Sequence, residues 1–257
     1  MRRLIGIIGL LLIMGFLYGK YVEPNNLKVN EFVIANSKIP KEFEGFKILH
    51  FSDVLYSGEN DLVLLDKVVK ETIQSNVDII VFTGDLINKD ISEDESKTLI
   101  GLLNDMTAKQ YKYAILGDND NNDVKHILEE SNFIILDETP LYIFNEGIEP
   151  IKIVNGTEYT SDEKDQSKEY IISLIHKPDD YDKTQYDLVL AGHSLGGEIR
   201  IPYLGAFFKK EGANKYTDSF YHNDDSILYV SYGLGSEKTQ LRLFNSPSIN
   251  IYRLATL

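Results

Sequence analysis

The chain predicts an α/β fold, and three observations point to it. In the first half, apolar runs of strand character alternate with segments of helical spacing. The second half turns to short β-rich runs. Several strand-like runs end on an Asp or His, where α/β sheets gather ligands beyond the C-terminal ends of their strands. With 257 residues and 43% hydrophobic content, the chain is long enough for one sizeable domain with a packed core.

The elements follow in order. Arg2 and Arg3 precede an apolar run from Leu4 to Tyr18, closed by Lys20. A positive end ahead of a short apolar run, with no small-x-small cleavage site before Tyr21, reads as an uncleaved signal anchor over residues 1–20. It implies a membrane-anchored protein whose folded part is extracytoplasmic. Residues 19–27, with Pro24, Asn25 and Asn26, read as a linker, and the domain is expected over 28–257. Strands are expected at 28–37, 46–51, 77–82 and 111–116, with helices at 62–73, 91–106 and 122–130. These β-then-α units imply a sheet with helices on both faces. Further strands are expected at 133–136, 141–144, 151–154, 169–175, 186–191, 227–232, 241–244 and 249–254, and a polar surface loop at 156–166. The tyrosine-rich stretch from Tyr203 to Tyr229 is expected to pack or to line a loop.

Composition excludes several chemistries. Cysteine is absent, which rules out disulfides, thiolate metal sites and cysteine nucleophiles. The net charge of -14, with no cluster of Lys and Arg, argues against nucleic acid as a partner. The same charge repels phosphate esters unless a bound cation reverses the field locally.

Five strand-like runs end in a residue able to ligate a metal: Asp53, Asp85, Asp118, His176 and His193. Taken singly, an Asp after a strand is more often a turn former or helix cap, and a lone His is more often structural. Gathered at one sheet edge, three carboxylates would raise one another's pKa values unless a cation neutralised them. Two imidazoles beside them suit a transition metal better than calcium. The glycines at Gly84, Gly117 and Gly192 let the backbone turn sharply at these ends.

These blocks resemble the calcineurin-like metallophosphoesterases, which carry D-x-H, G-D-x-x, G-N-H-[DE], a lone His and G-H-x-H in that order. The corresponding segments are Asp53-Val54-Leu55, Gly84-Asp85-Leu86-Ile87, Gly117-Asp118-Asn119-Asp120, His176 and Gly192-His193-Ser194-Leu195. Gly196-Gly197-Glu198-Ile199-Arg200-Ile201-Pro202, then Val230–Gly235 and Leu241-Arg242-Leu243, resemble the membrane-associated bacterial branch. The resemblance implies two mixed β-sheets sandwiched by helices, a four-layer αββα arrangement. It implies a bridging ligand at Asp85. One metal position keeps Asp53 but has Leu55 and Leu195 in place of both histidines. The other keeps a full set in Asp85, Asp118, His176 and His193, with Asp118 replacing the family's Asn. Asn119 occupies the position of the family's catalytic His, so no catalytic residue is assigned.

One divalent ion per chain, Mn, Zn or Fe, is therefore expected, with Asp53 as a nearby carboxylate or weak ligand. The expected function is metal-dependent hydrolysis of a phosphomono- or diester at the membrane surface, with reduced activity, by a monomer. The expected substrate is a phosphorylated lipid or a small molecule of the cell envelope. The alternative is a catalytically inactive member that binds a phosphate ligand or a protein. Ser194, between Gly192 and Gly196, superficially matches a G-x-S-x-G elbow, but His222 is the only later histidine, so a serine hydrolase is disfavoured.

Overall fold

The structure is a computed structural model that describes residues 2–159, 169–183, 185–223, 226–237 and 240–257. It opens with helix α1 (Arg2–Tyr21), followed by strands β1 (Lys28–Asn36) and β2 (Lys47–Phe51). Helices α2 (Glu59–Ser75), α3 (Glu93–Asp105) and α4 (Asn122–Glu130) alternate with β3 (Ile79–Phe82), β4 (Lys112–Ala114) and β5 (Phe133–Ile135). Then come β6 (Leu141–Ile143), β7 (Ile151–Asn155), β8 (Ile171–Ile175) and β9 (Leu188–Ala191). A small hairpin, β10 (Arg200–Ile201) and β11 (Gly205–Ala206), precedes β12 (Phe220–Asn223), β13 (Ser226–Val230) and β14 (Ser248–Thr256).

Two six-stranded mixed sheets form the body, ordered β1-β14-β2-β3-β4-β5 and β12-β13-β9-β8-β7-β6. In the first, β2 to β5 run parallel, each step joined by a helix. Because the steps proceed in one direction and such crossovers are right-handed, α2, α3 and α4 fall on one face rather than on both. The other face carries the second sheet. Ile48, Ile79 and Val81 point towards Ile172, Leu188 and Leu190 of that sheet, while their neighbours Leu49, Ile80 and Phe82 point towards Leu65, Leu99 and Leu128 of the helices. Burial on both faces explains why these strands read as continuous apolar runs. On the outer face of the second sheet, Val154, Ile171, Val189 and Leu228 are covered by Tyr159, Tyr181, Tyr186, Tyr216 and Tyr221. Part of the tyrosine-rich stretch is thus packing. Beyond Tyr159, most of the expected surface loop lies outside the described residues.

The strand expected at 241–244 does not form. Only a single bridge joins Leu243 to Ile199. Gln240 and Phe244 sit in the left-handed region, with φ of 47° and 53°, which breaks an extended run. Between them Arg242 is fully buried and donates to the carbonyls of Gly235, Tyr232 and Asn245. A cation that caps loop carbonyls needs an irregular segment, not a ladder. The sequence expectation of a strand here rested on residue type, which does not show that Arg242 is buried.

At the N-terminus the helical segment is longer than the apolar run alone. The most apolar 18-residue window within Arg3–Asn25 has a mean hydropathy of 1.9, and only 6% of it is buried. A 20-residue helix such as α1 is about 30 Å long, the thickness of a bilayer core. Its last turn docks on the domain: the Arg242 N–H donates to the Gly19 carbonyl (2.9 Å). Just beyond, Glu23 Oε1 accepts from the Asn245 N–H (3.1 Å) and the Ser246 hydroxyl (2.7 Å).

Candidate metal site

The C-terminal ends of β2, β3, β8 and β9 lie side by side, because the register pairs Phe51 with Phe82 and Ile175 with Ala191. The residues just past these ends turn into the space between the sheets. The turn is abrupt. Asp53, Asp85 and His193 all have positive φ, at 50°, 62° and 64°. Such angles cost a non-glycine residue roughly 1–2 kcal/mol each, and strain of this kind clusters where geometry serves a site. Gly84 (φ +93°) lets the loops close up, since a Cβ there would lie 2.4 Å from the Gly117 nitrogen and 2.9 Å from His176 Nδ1.

Three donors converge. Asp85, His176 and His193 each offer one ligand atom within 4.8 Å of the others, and all are buried. His176 Nε2 is 3.3 Å from Asp85 Oδ2 and 3.0 Å from His193 Nδ1. The outward nitrogens have carbonyl partners: His176 Nδ1 reaches Thr83 O at 2.7 Å, and His193 Nε2 reaches Glu211 O at 2.8 Å. A carbonyl only accepts, so both outward nitrogens carry hydrogen. That leaves two imidazole lone pairs and a carboxylate oxygen aimed at one another. Such a group needs a cation, either a proton or a metal.

Protonation states follow from the same contacts. Burial works against charge on His176, but its bond to Asp85 and the negative charge of Asp53 and Asp85 outweigh it and raise its pKa to about 9. Asp85 is buried as well, yet His176 and Asn119 hold its pKa down at about 2. His193 is pushed down to about 4 by burial and by the charge of Lys210. Burial lifts Asp53 to about 6.

The five expected residues do not all gather. Asp53 borders the trio: its Oδ2 accepts the His193 N–H at 2.8 Å, while its buried Oδ1 has no hydrogen-bond partner among the described residues. Asp118 is turned away. Its half-exposed carboxylate pairs with Lys177 Nζ at 2.8 Å, because the residue after His176 places an ammonium beside it. Asn119 donates from its backbone N–H to Asp85 Oδ1 (3.0 Å) and from Nδ2 to Asp85 Oδ2 (2.9 Å). The two leucines are buried at 1% and 2% exposure for Leu55 and Leu195. A Cβ on Gly235 would sit 2.7 Å from Leu55 Cβ, and one on Gly233 would sit 2.8 Å from Leu195 Cδ2, so the 233–235 turn closes tightly on both. Both leucines keep the left-handed backbone, at φ 49°.

Some partners carried no signal as chemistry. Asp120 accepts the N–H groups of Asp85 (2.7 Å), Leu86 (2.9 Å) and Gly117 (2.8 Å), tying two site loops together. It was legible only as the acidic end of its block. The Thr83 and Glu211 carbonyls that set the imidazole tautomers leave no trace in residue type. Ser194 caps the Gly196 N–H (3.1 Å) and lies 3.4 Å from the Ser231 carbonyl, and among the described residues no histidine is a hydrogen-bond partner of it. His50 is structural, buried in β2 against Thr83 Oγ1 at 2.9 Å. Asn155 of the sequon-like Asn155-Gly156-Thr157 is buried, which closes it to a glycan.

The chemistry of the donor set fits a divalent transition metal, with Asp85, His176 and His193 as the residues that would hold it. Comparison with known proteins gives the family. The family model for the calcineurin-like phosphoesterases matches residues 46–197, more than half of the chain. The uncharacterized metallophosphoesterase YkuE of Bacillus subtilis strain 168 is 28% identical over 93% of this chain and 90% of its own length. The phosphodiesterase YaeI of Escherichia coli K12 is 24% identical, over 93% of both chains. The UDP-2,3-diacylglucosamine pyrophosphatase LpxG of Chlamydia muridarum is 23% identical over 94% of this chain and 93% of its own. The chain belongs to the calcineurin-like phosphoesterase family, whose members are metal-dependent.

Proposed function

We propose that the protein is a metal-dependent phosphoesterase that works with one metal ion on a phosphomono- or diester presented at a membrane surface. The observation that carries this reading is the convergence of Asp85, His176 and His193, with their outward nitrogens already bonded to carbonyls, while Leu55 and Leu195 fill the positions of the other metal's histidines. A divalent ion held there supplies Lewis acidity and activates water. Asp118 joins the ligand set only by leaving Lys177, and Asp53 contributes a buried carboxylate beside it. Asn119 cannot give a proton to a leaving group, so a general-acid contribution of about 10²–10⁴ in rate is lost. Slow turnover is the consequence.

The membrane setting rests on α1 and on the direction in which the domain meets it. β14 begins beside the C-terminal end of β2, where Asn250 pairs with His50. The 242–246 segment that holds the foot of α1 therefore lies at the same end of the sheets as the trio. A charged-end-inside orientation of α1 puts the domain outside the cytoplasm. The lipid-linked substrate named for LpxG supports a lipid or envelope phosphate as substrate class.

Bis-p-nitrophenyl phosphate and p-nitrophenyl phosphate, assayed with Mn or Zn, test the reading. Slow metal-dependent hydrolysis that disappears in His193→Ala is expected. No turnover above that variant would favour the second reading, a binding module without catalysis. That reading draws on the double hydrogen bond from Asn119, which occupies Asp85 on both oxygens. A rate that survives Asp85→Ala would belong to another site.

A further inference from the structure

An apolar load sits beside the site and plays no part in it. In the hairpin of β10 and β11, Arg200 pairs with Ala206 and Ile201 with Gly205. The turn is closed by the Leu204 N–H donating to Ile201 O at 3.0 Å. Tyr203 and Leu204 at its tip are 107% and 80% exposed, and Phe207, Phe208 and Phe244 are 58%, 60% and 60% exposed. The stem is fixed: the Arg200 guanidinium donates to Gly196 O (3.1 Å) and Thr217 O (3.0 Å) and pairs with Asp218. The stem is thus anchored while the tip stands out from the surface, and exposed apolar side chains clustered in this way mark a surface meant to be covered.

Its position indicates the cover. The Arg200 N–H donates to Leu243 O (2.9 Å) and the Leu243 N–H to Glu198 O (3.1 Å), which stitches the hairpin to the segment on which α1 docks. Phe244, in that segment, lines one surface cavity together with Ile201, Tyr203 and Leu204. The foot of the apolar helix and the apolar hairpin are thus neighbours, and both lie at the end of the sheets that carries Asp85, His176 and His193. Aromatic side chains with Leu and a flanking lysine, here Lys209, are the residues that settle at the boundary of headgroups and acyl chains.

We infer that the Pro202–Leu204 tip, with Phe207, Phe208 and Phe244, dips into the interface of the same lipid bilayer that α1 enters, and so holds the metal site facing headgroup phosphates. A second copy of the chain would have to cover this patch while also avoiding the bilayer around α1, so the bilayer is the occupant. The inference rests on the membrane reading of α1.

The absence of cysteine makes the test clean. Leu204→Cys and, independently, Phe207→Cys in the full chain are labelled with an environment-sensitive fluorophore and reconstituted into phosphatidylcholine–phosphatidylglycerol vesicles containing nitroxide-labelled lipid. Leu10→Cys reports α1. Ile148→Cys, 90% exposed between β6 and β7 at the opposite end of the sheets, is the aqueous control. Blue-shifted, quenched emission at 204 and 207 with none at 148 is the expected result. Quenching at 10 but not at 204 or 207 overturns the inference and leaves the anchor standing. Quenching at none of the four positions overturns both. Equal quenching at 148 and 204 means adsorption without orientation and also overturns it.

Discussion

His176 lies where burial and charge pull in opposite directions, and the outcome can be measured. Its pKa in the folded domain stands at about 9 against an ordinary 6.5. A raised folded value means that protonation favours folding, so in metal-free protein this stabilisation is complete below about pH 6.5 and is lost as the pH rises through about 9. Denaturant midpoints in chelator should fall between pH 6.5 and 8, below the range in which buried Lys112, whose pKa is lowered to about 8, adds the opposite slope, and His176→Asn should abolish that fall. Metal competes with the same proton, so metal affinity should rise with pH over the range in which metal-free stability falls. A midpoint in chelator that is flat over this range would contradict the protonation scheme. At this scale, the gathering of Asp85, His176 and His193 was legible from several strand ends carrying Asp or His together, not from any one of them. Asp118 was not placed well, because nothing in the sequence shows that Lys177, one residue past His176, takes its carboxylate.

Between strands and loops, the important feature is a row of left-handed residues. Leu55 and Leu195 adopt φ 49°, the same turn geometry as Asp53 and His193, although leucine gains nothing from it. On the proposed reading, this is the backbone of a second metal position kept where Leu55 and Leu195 stand in place of histidines. Leu55→His with Leu195→His should therefore raise metal uptake towards two ions per chain. Without metal, the double variant should lose roughly 1–3 kcal/mol for each buried imidazole left unpaired. Zinc titration with denaturant melts checks both effects, and unchanged uptake would show that the position has collapsed. Asp120→Ala strands three loop N–H groups and should cost about 3 kcal/mol or more, with metal affinity falling in parallel. The helices were legible from spacing: 122–130 was read at both ends as found, and α2 and α3 to within a few residues. The 241–244 segment was not, since a buried guanidinium bonded to carbonyls looks, in sequence, like an alternating strand.

For the whole molecule, two sheets share one interior, and the edge that carries Asp85, His176 and His193 opens at the end where α1 arrives. The α/β class was legible from the alternation of patterns. The one-sided placement of helices was not, because it depends on the common direction of the β2-to-β5 steps rather than on any residue. Docking of α1 depends on a close approach: a Cβ at Gly19 would stand 2.8 Å from the Arg242 carbonyl oxygen. Gly19→Val should release the foot of α1, seen as faster proteolysis within residues 20–27, while the melting of the domain stays within about 1 kcal/mol of the parent. The central claim is that one metal position survives in a chain whose other position is filled by leucine. Metal content of the purified full-length protein by mass spectrometry tests it most directly, with the His193→Ala variant alongside. One divalent ion per chain, lost in the variant, is the predicted result. Two ions, or none after reconstitution with Mn, Zn or Fe, would contradict it.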